Sequence, residues 1–140
     1  MIAVIYWSGT GNTKEMAELI VKGIGGADEV VLKEVAKAST DDVVNADKVV
    51  LGCPAMGAEN LEEDEMEPFV ESIEELVAGK KLALFGSYDW GDGEWMQEWQ
   101  SRMADKGAVM IAEGLIVNGT PEDDSADLCV NYGKTVANFK

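Results

Sequence analysis

The chain has 140 residues, of which 46% are apolar and three are proline, so we expect a single globular domain over residues 1–140. Its formal net charge of −16, from 27 acidic and 11 basic residues, argues against nucleic acids and anionic membranes as partners, because both bind through clusters of Lys and Arg. The chain has no histidine and its two cysteines are far apart, so the ligands for a tetrahedral zinc site and for His-based acid–base catalysis are missing.

Strand and helix signals alternate through the first half of the chain. The apolar run at residues 2–6 predicts a strand and is too short for a signal peptide or a membrane span, so we expect a cytoplasmic protein. Apolar residues at helical spacing predict a helix that ends near residues 25–26, a short strand follows at residues 30–32, and a capped helix is expected at residues 39–46.

The same alternation continues through the second half. The apolar run at residues 48–53 suits a buried parallel strand, and a helix is predicted over residues 68–77 with Pro68 at its first position. The remaining elements are a strand at residues 82–86, a helix at 95–103, an uninterrupted strand at 109–117 and a closing helix at 124–139.

Five strands that alternate with helices predict an α/β fold, a doubly wound five-stranded parallel sheet with helices on both faces. Such sheets bind ligands beyond the carboxyl ends of their strands. Three loops lie at those ends, at residues 8–13, 54–60 and 87–93. We therefore expect the functional site to be built from these loops.

The first of these loops reads Ser-Gly-Thr-Gly-Asn-Thr and lies between a strand and a helix. Its glycines allow close backbone approach, its other side chains are polar, and the helix N-terminus attracts an anion. The loop has no Lys, Arg or Cys, which argues against nucleotide hydrolysis and against a phosphatase. It predicts an uncharged phosphate cradle, and the alternative is a tight turn with an N-cap.

The runs IYWSGTGNT, LGCPAMGAEN and LFGSYDWGDGEW resemble the three flavin-contacting loops of short-chain, clostridial-type flavodoxins. The resemblance covers essentially the whole chain, including the uninterrupted last strand. It implies a strand order of 2-1-3-4-5 and non-covalently bound FMN. It also implies a low-potential one-electron carrier that shuttles between semiquinone and hydroquinone, and not an enzyme.

The resemblance also implies which residues bind FMN. They form one group in each loop: Ser8, Gly9, Thr10, Gly11, Asn12 and Thr13, then Pro54, Ala55, Met56, Gly57, Ala58 and Glu59, then Ser87, Tyr88, Asp89, Trp90 and Gly91.

Three residues are expected to contact the flavin ring through their side chains, and a fourth is a fallback for one of them. Trp90 lies in a turn-forming stretch outside any helical or strand period, which favours stacking on the ring, although an aromatic cap over a loop or helix is the alternative. Met56 is the candidate for the inner ring face. Glu59 can accept a hydrogen bond from the ring N3–H, with Asn60 as the fallback.

The other tryptophans have different predicted roles. Trp95 and Trp99 share a helix face with Met103, which predicts that they lie in the core. Trp7 is expected to pack beside the first loop.

Three positions depart from the flavodoxin pattern. Family members are thought to flip the peptide after Gly57 on the first electron, and a type II turn would then require a positive φ at Ala58, which costs about 1 kcal/mol. Asp89 stands where glycine is usual, and its carboxylate would oppose the anion formed on full reduction unless it points into solvent. Pro54 replaces a serine found in some relatives.

An acidic stretch beside the expected ring site contains Glu62, Glu63, Asp64, Glu65 and Glu67. It is either a solvated face or a docking surface for basic redox partner proteins. We expect a monomer. The alternative functions are an FMN-dependent NAD(P)H or quinone oxidoreductase and a flavodoxin-like interaction module without flavin. A signalling receiver domain would need acidic residues where the chain has Trp7, Ser8 and Cys53.

Overall fold

All six β-strands join one parallel sheet in a computed structural model that describes all 140 residues. The strands are β1 Ile2–Tyr6, β2 Val30–Glu34, β3 Lys48–Gly52, β4 Lys81–Tyr88, β5 Val109–Met110 and β6 Leu115–Asn118. The α-helices are α1 Asn12–Ile24, α2 Thr40–Asn45, α3 Met66–Ile73, α4 Glu94–Asp105 and α5 Asp123–Asn138, and a 3₁₀ turn spans Val35–Lys37. The order β2-β1-β3-β4-β5 confirms the predicted topology.

The last strand is divided in two, so the prediction of an uninterrupted strand over residues 109–117 is wrong. β5 pairs with the start of β4 and β6 pairs with its end. Between them the N–H of Gly114 donates to Oε1 of Gln100 on α4, and a Cβ at Gly114 would lie 2.4 Å from Sδ of Met96. Contact with α4 therefore interrupts the strand, and the sheet has six strands where five were expected.

The sheet has a core on each face because side chains alternate along a strand. Ile2 and Val4 of β1 pack on the side of α1 and α5, whereas Ala3 and Ile5 pack on the side of α2, α3 and α4. On that second side Trp95 and Trp99 are each 2% exposed, which confirms the prediction that they belong to the core.

Helices α1 and α5 touch through their backbones. A Cβ added at Gly23 would lie 1.9 Å from the carbonyl oxygen of Val130, and one at Gly133 would lie 2.0 Å from that of Ile20. No other residue type fits at either position. The contact holds α5 directly against the helix that follows the first loop.

Helix α3 begins two residues before the predicted start, so Pro68 is its third residue and not its first. The carboxylate of Glu62 accepts the N–H of Asp64 and of Glu65, and its carbonyl accepts the N–H of Glu67 at 2.8 Å. These bonds wind the chain into a turn before the proline is reached. Pro68 is tolerated because a first-turn N–H has no partner within the helix.

Lysines at the starts of two strands bind the ends of helices. Nζ of the buried Lys48 donates to the carbonyls of Val136 and Ala137 at 2.7 and 3.1 Å, near the end of α5. Nζ of Lys80 donates to the carbonyl of Ala46 at 2.7 Å, just after α2. Cations stabilise helix C-termini, and these lysines lie at the end of the sheet opposite the three loops.

Candidate functional site

The carboxyl ends of β1, β3 and β4 bring the three predicted loops together around one cleft. Each loop contributes residues to its lining: Gly9, Thr10 and Asn12 from the first, Pro54, Ala55 and Met56 from the second, and Ser87, Tyr88 and Asp89 from the third. Trp7, just before the first loop, also lines the cleft. Ser87 and Tyr88 are the last residues of β4, so the third loop begins later than predicted. A second cleft extends from Trp7 and Met56 along the acidic stretch to Asp64.

The first loop presents backbone N–H groups that have no acceptor within the protein. The amides of Gly11 and Lys14 each donate to Oγ of Ser8 at 3.2 Å. Those of Gly9, Thr10, Asn12 and Thr13 donate to no protein group. Gly11, with φ of 102°, precedes the 13-residue helix α1, whose N-terminus carries partial positive charge. The geometry fits an anion such as a phosphate, held by neutral donors.

Most polar side chains of this loop are occupied within the protein. The buried hydroxyls of Thr13 and Ser87 hydrogen-bond each other at 2.8 Å, and Oδ1 of Asn12 accepts the hydroxyl of Thr120 at 3.0 Å. Ser8 acts as the acceptor for two amides. These side chains therefore maintain the shape of the loop, while its backbone provides the free donors.

Trp7 packs against the first loop, as predicted. Atoms of its ring lie 3.0 and 3.2 Å from the position that a Cβ of Gly9 would take. Its Nε1 donates to Oε1 of Glu65 at 3.2 Å. Trp7 thus joins the first loop to the acidic stretch, and a side chain at position 9 would displace it.

Residues 56–60 form a tight turn. The backbones of Met56 and Asn60 exchange two hydrogen bonds of 2.9 Å each. Gly57 has φ of 47° and Glu59 has φ of 57°, whereas Ala58 does not have a positive φ. In this form of the turn the left-handed conformation therefore falls on the two neighbours of Ala58.

Glu59 lies at the N-terminus of α4. Its Oε1 accepts the N–H of Gly93 at 3.0 Å and the N–H of Glu94 at 3.1 Å. The carboxylate expected to bind the N3–H of the ring thus has protein partners that the sequence did not suggest. Asn60, the fallback, is exposed.

Trp90 is the most exposed large apolar side chain, at 70%. This exposure disfavours the alternative in which it caps a loop or helix. Asp89 is also exposed and its carboxylate makes no hydrogen bond, while the amides of residues 89–91 donate to no protein acceptor. The third loop therefore presents an aromatic face and free N–H groups beside the cleft.

A fourth segment, which sequence reasoning missed, supports the site from the end of β6. Nδ2 of Asn118 donates to the carbonyls of Tyr88 and Asp89 at 3.3 Å each. The N–H of Gly119 donates to the carbonyl oxygen of Tyr88 at 2.8 Å. With the bond from Thr120 to Asn12, this segment joins the first and third loops. The run Asn-Gly-Thr after the last strand was the available signal, because it ends at the same edge of the sheet.

Neither cysteine is a nucleophile. Burial raises the pKa of Cys53 to about 12 and that of Cys129 to about 11, so both are protonated thiols at neutral pH. No three metal-ligating side chains lie together. No helix is both long enough and apolar enough to cross a membrane.

An uncharged anion loop at the carboxyl edge of a doubly wound sheet, with an aromatic side chain exposed beside it, defines a nucleotide-binding α/β protein. The flavodoxin family model matches residues 4–133. A flavodoxin of Clostridium beijerinckii is 48% identical over 137 residues, covering 97% of this chain and 99% of that protein. One of Megasphaera elsdenii is 46% identical over 140 residues, covering 98% of each.

The fold agrees with these similarities. The solution structure of two-electron reduced Megasphaera elsdenii flavodoxin superposes with a TM-score of 0.90 at 44% identity and covers 98% of each chain. The chain belongs to the flavodoxin family, and its relatives are of the short-chain type predicted from the three loops. It is an FMN-binding electron-transfer protein and not an enzyme.

Proposed function

We propose that the cleft formed by residues 8–13, 54–59 and 87–91 holds the FMN on which electron transfer by this protein depends. The observation that carries the proposal is the set of four free amides in an uncharged loop, at Gly9, Thr10, Asn12 and Thr13, opening onto a cleft that all three loops line. Bound FMN supplies the one-electron chemistry, and the protein binds, orients and tunes it.

Each loop has a distinct role in this proposal. The first loop binds the phosphate through its backbone, without a cation that would draw the group into reaction. Met56 and the exposed Trp90 contact the two faces of the ring, and a favourable aromatic contact adds about 1 kcal/mol beyond the area buried. The free amide of Asp89 faces the polar edge of the ring.

A titration of cofactor-free protein tests this assignment. We expect FMN to bind at least about a hundredfold more tightly than riboflavin, which lacks the phosphate, because charge-assisted hydrogen bonds are the strong ones. Trp90→Ala should weaken FMN binding up to about tenfold. The control is Leu128→Ala, which removes a side chain that is 53% exposed outside the cleft. Equal affinity for FMN and riboflavin would contradict the phosphate role of the loop.

A basic redox partner docks, in our proposal, on three acidic residues beside the cleft, Glu63, Asp64 and Glu65. All three are exposed, and Glu65 in addition accepts the hydrogen bond from Nε1 of Trp7. The carboxylates of the other two acids predicted to join them are held within the protein. Glu62 is 5% exposed and bonds the turn before α3, and Glu67 pairs with Arg102. The docking surface is therefore smaller than the predicted acidic stretch.

Association kinetics with a basic c-type cytochrome test this surface. The triple variant E63Q/D64N/E65Q should slow association about tenfold at low salt, and the difference should shrink at high salt, since complementary charge steers encounter. The control E29Q/E71Q/D127N removes the same charge from exposed acids elsewhere. Equal slowing in both variants would show that net charge, and not this surface, governs docking.

Three broader expectations from the sequence stay predictions. The joining of all strands in one sheet supports a single domain over residues 1–140. A monomeric state and a cytoplasmic location are also predicted, and each calls for its own measurement in solution and in cells.

A further inference from the structure

The side-chain amide of Asn12 is engaged by the protein at one end only. Its Oδ1 accepts the hydroxyl of Thr120 at 3.0 Å, while its Nδ2 donates to no protein group. Asn12 is the first residue of α1 and lines the cleft beside the free amides of the first loop. One side-chain donor therefore remains available where the helix N-terminus favours an anion.

The two ends of an asparagine amide differ in what they can bind. The oxygen accepts hydrogen bonds and the NH₂ group donates them, so a half-turn of the amide would replace a donor to an anion with an acceptor that repels it. The hydroxyl of Thr120 donates to the oxygen. A hydrogen bond accepted by the oxygen also polarises the amide and strengthens its N–H groups as donors.

Thr120 lies between two residues that the fold holds in place. Before it, the N–H of Gly119 donates to the carbonyl oxygen of Tyr88 at 2.8 Å, and Gly119 has φ of 68°. After it, Pro121 is buried, and a proline narrows the backbone conformations open to the residue before it. The hydroxyl of Thr120 is thus presented to the first loop by an anchored stretch of chain.

The bond between Thr120 and Asn12 is exposed to solvent. Water can replace either partner of an exposed hydrogen bond, so such a bond adds little to the stability of the fold. The first loop is held to the third by a different contact, the buried bond between the hydroxyls of Thr13 and Ser87. Loss of the Thr120 hydroxyl should therefore leave the fold intact and change only the amide of Asn12.

We propose that Thr120 is a positioning residue, which holds Oδ1 of Asn12 and so presents Nδ2 of Asn12 to the phosphate. The inference rests on the proposed function, in which the first loop binds the phosphate of FMN. It adds one side-chain donor to the free backbone amides of that loop. This donor is oriented by a residue 108 positions further along the chain.

Titrations of the cofactor-free protein with FMN and with riboflavin test the proposal. Thr120→Val keeps the shape of the side chain but lacks the hydroxyl, so it should raise the dissociation constant of FMN about fivefold. Its affinity for riboflavin, which has no phosphate, should stay at the wild-type value. Thr120→Ser keeps the hydroxyl and should bind FMN within about twofold of wild type.

The control is Thr135→Val, which removes an exposed hydroxyl that bonds only the carbonyl of Asn131 within α5. It should leave both affinities unchanged. If Thr120→Val weakens FMN and riboflavin equally, the whole cleft is distorted and the positioning role is overturned. Unchanged FMN affinity in Thr120→Val would overturn it as well.

A double-mutant cycle tests whether Thr120 acts through Asn12. Once Asn12→Ala has removed the amide, Thr120→Val should weaken FMN binding no further, because residues that act through one interaction are not additive. A further fivefold loss in the double variant would overturn the proposal. Failure of the proposed FMN site would appear separately, as wild-type protein that binds FMN no more tightly than riboflavin.

Discussion

Ala58 is an exposed residue whose two neighbours in the turn, Gly57 and Glu59, both have a positive φ. If the first electron flips the peptide after Gly57, the positive φ passes to Ala58. A positive φ costs an alanine about 1 kcal/mol. Ala58→Gly removes this cost from the semiquinone state and should therefore raise the first reduction potential by roughly 40 mV. A redox titration measures this shift. Ala36→Gly, at an exposed site in the 3₁₀ turn, is the control, and an unchanged or lower potential in Ala58→Gly would contradict the prediction.

Asp89 presents a carboxylate to solvent at the edge of the cleft. Solvent weakens its repulsion of the anion formed on full reduction, to about 1 kcal/mol at 4 Å in water. Asp89→Gly should therefore raise the second reduction potential by at most roughly 40 mV, and less at high salt. Asp92→Gly, also exposed, should change it less because it lies outside the cleft lining. If Asp89→Gly leaves the potential unchanged, the carboxylate does not act on the ring.

At the scale of residues, the sequence revealed which loops form the site but not how their side chains pair. Residue types and loop positions were enough to select residues 8–13, 54–60 and 87–93. The partners of Thr13 and Asn12, however, lie 74 and 108 residues further along the chain. Such pairings follow from the tertiary fold, as does the contact of Glu59 with α4, so no local pattern predicts them.

Helices α3 and α4 are joined by Arg102, the only arginine in the chain. Its guanidinium donates to both oxygens of Glu67, at 2.9 and 2.6 Å, and to Oε1 of Glu74 at 2.9 and 2.5 Å. These hydrogen bonds lower the pKa of Glu74 and raise that of Arg102. The two helices are thus tied through one side chain that is 27% exposed.

Arg102→Gln should lower the free energy of unfolding by about 1 kcal/mol, because a bidentate network exceeds an isolated surface pair but remains partly screened by solvent. Urea denaturation of the cofactor-free protein measures the difference. Lys106→Gln, which removes a more exposed partner of Glu74, should cost less than about 0.5 kcal/mol. Equal losses in the two variants would contradict a special role for Arg102.

At the scale of elements, hydrophobic periodicity predicted the presence and type of every major helix and strand, while two details needed tertiary contacts. The apolar composition of residues 109–117 suits a strand, but it contains no sign that Met96 and Gln100 of α4 interrupt it. Similarly, Pro68 is compatible with the first helical position, yet the hydrogen bonds of Glu62 make the helix begin two residues earlier. Both differences arise where another part of the chain competes with local preference.

Three acidic side chains, those of Asp42, Asp47 and Glu74, have a lowered pKa and make the stability of the whole molecule depend on pH. The pKa of Asp42 is lowered by the N–H of Ser39 and by Lys33, and the pKa of Glu74 is lowered by Arg102. A carboxylate whose pKa is lower in the folded state stabilises the fold above its unfolded-state pKa, and this contribution is lost as pH falls through the folded-state value. Unfolding free energy should therefore decline below about pH 4.

Asp42→Asn should make the fall in unfolding free energy at acidic pH shallower, because an asparagine does not take up a proton on unfolding as Asp42 does. Urea titrations at several pH values from neutral to acidic measure the slope. Asp41→Asn, at an exposed neighbouring acid that makes no hydrogen bond, should leave the slope as in the wild type. A slope for Asp42→Asn equal to that of the wild type would contradict the linkage.

The lysines that bind helix ends make the protein electrically polar. Lys48, Lys80 and Lys81 lie where strands begin, whereas Glu63, Asp64, Glu65 and Asp89 lie beyond strand ends, roughly 20 Å away by the rise of a strand. On a positively charged electrode the exposed acids beside the cleft should favour adsorption with the loops facing the surface, since opposite charges attract. That orientation brings the cleft close to the electrode, as direct voltammetry requires.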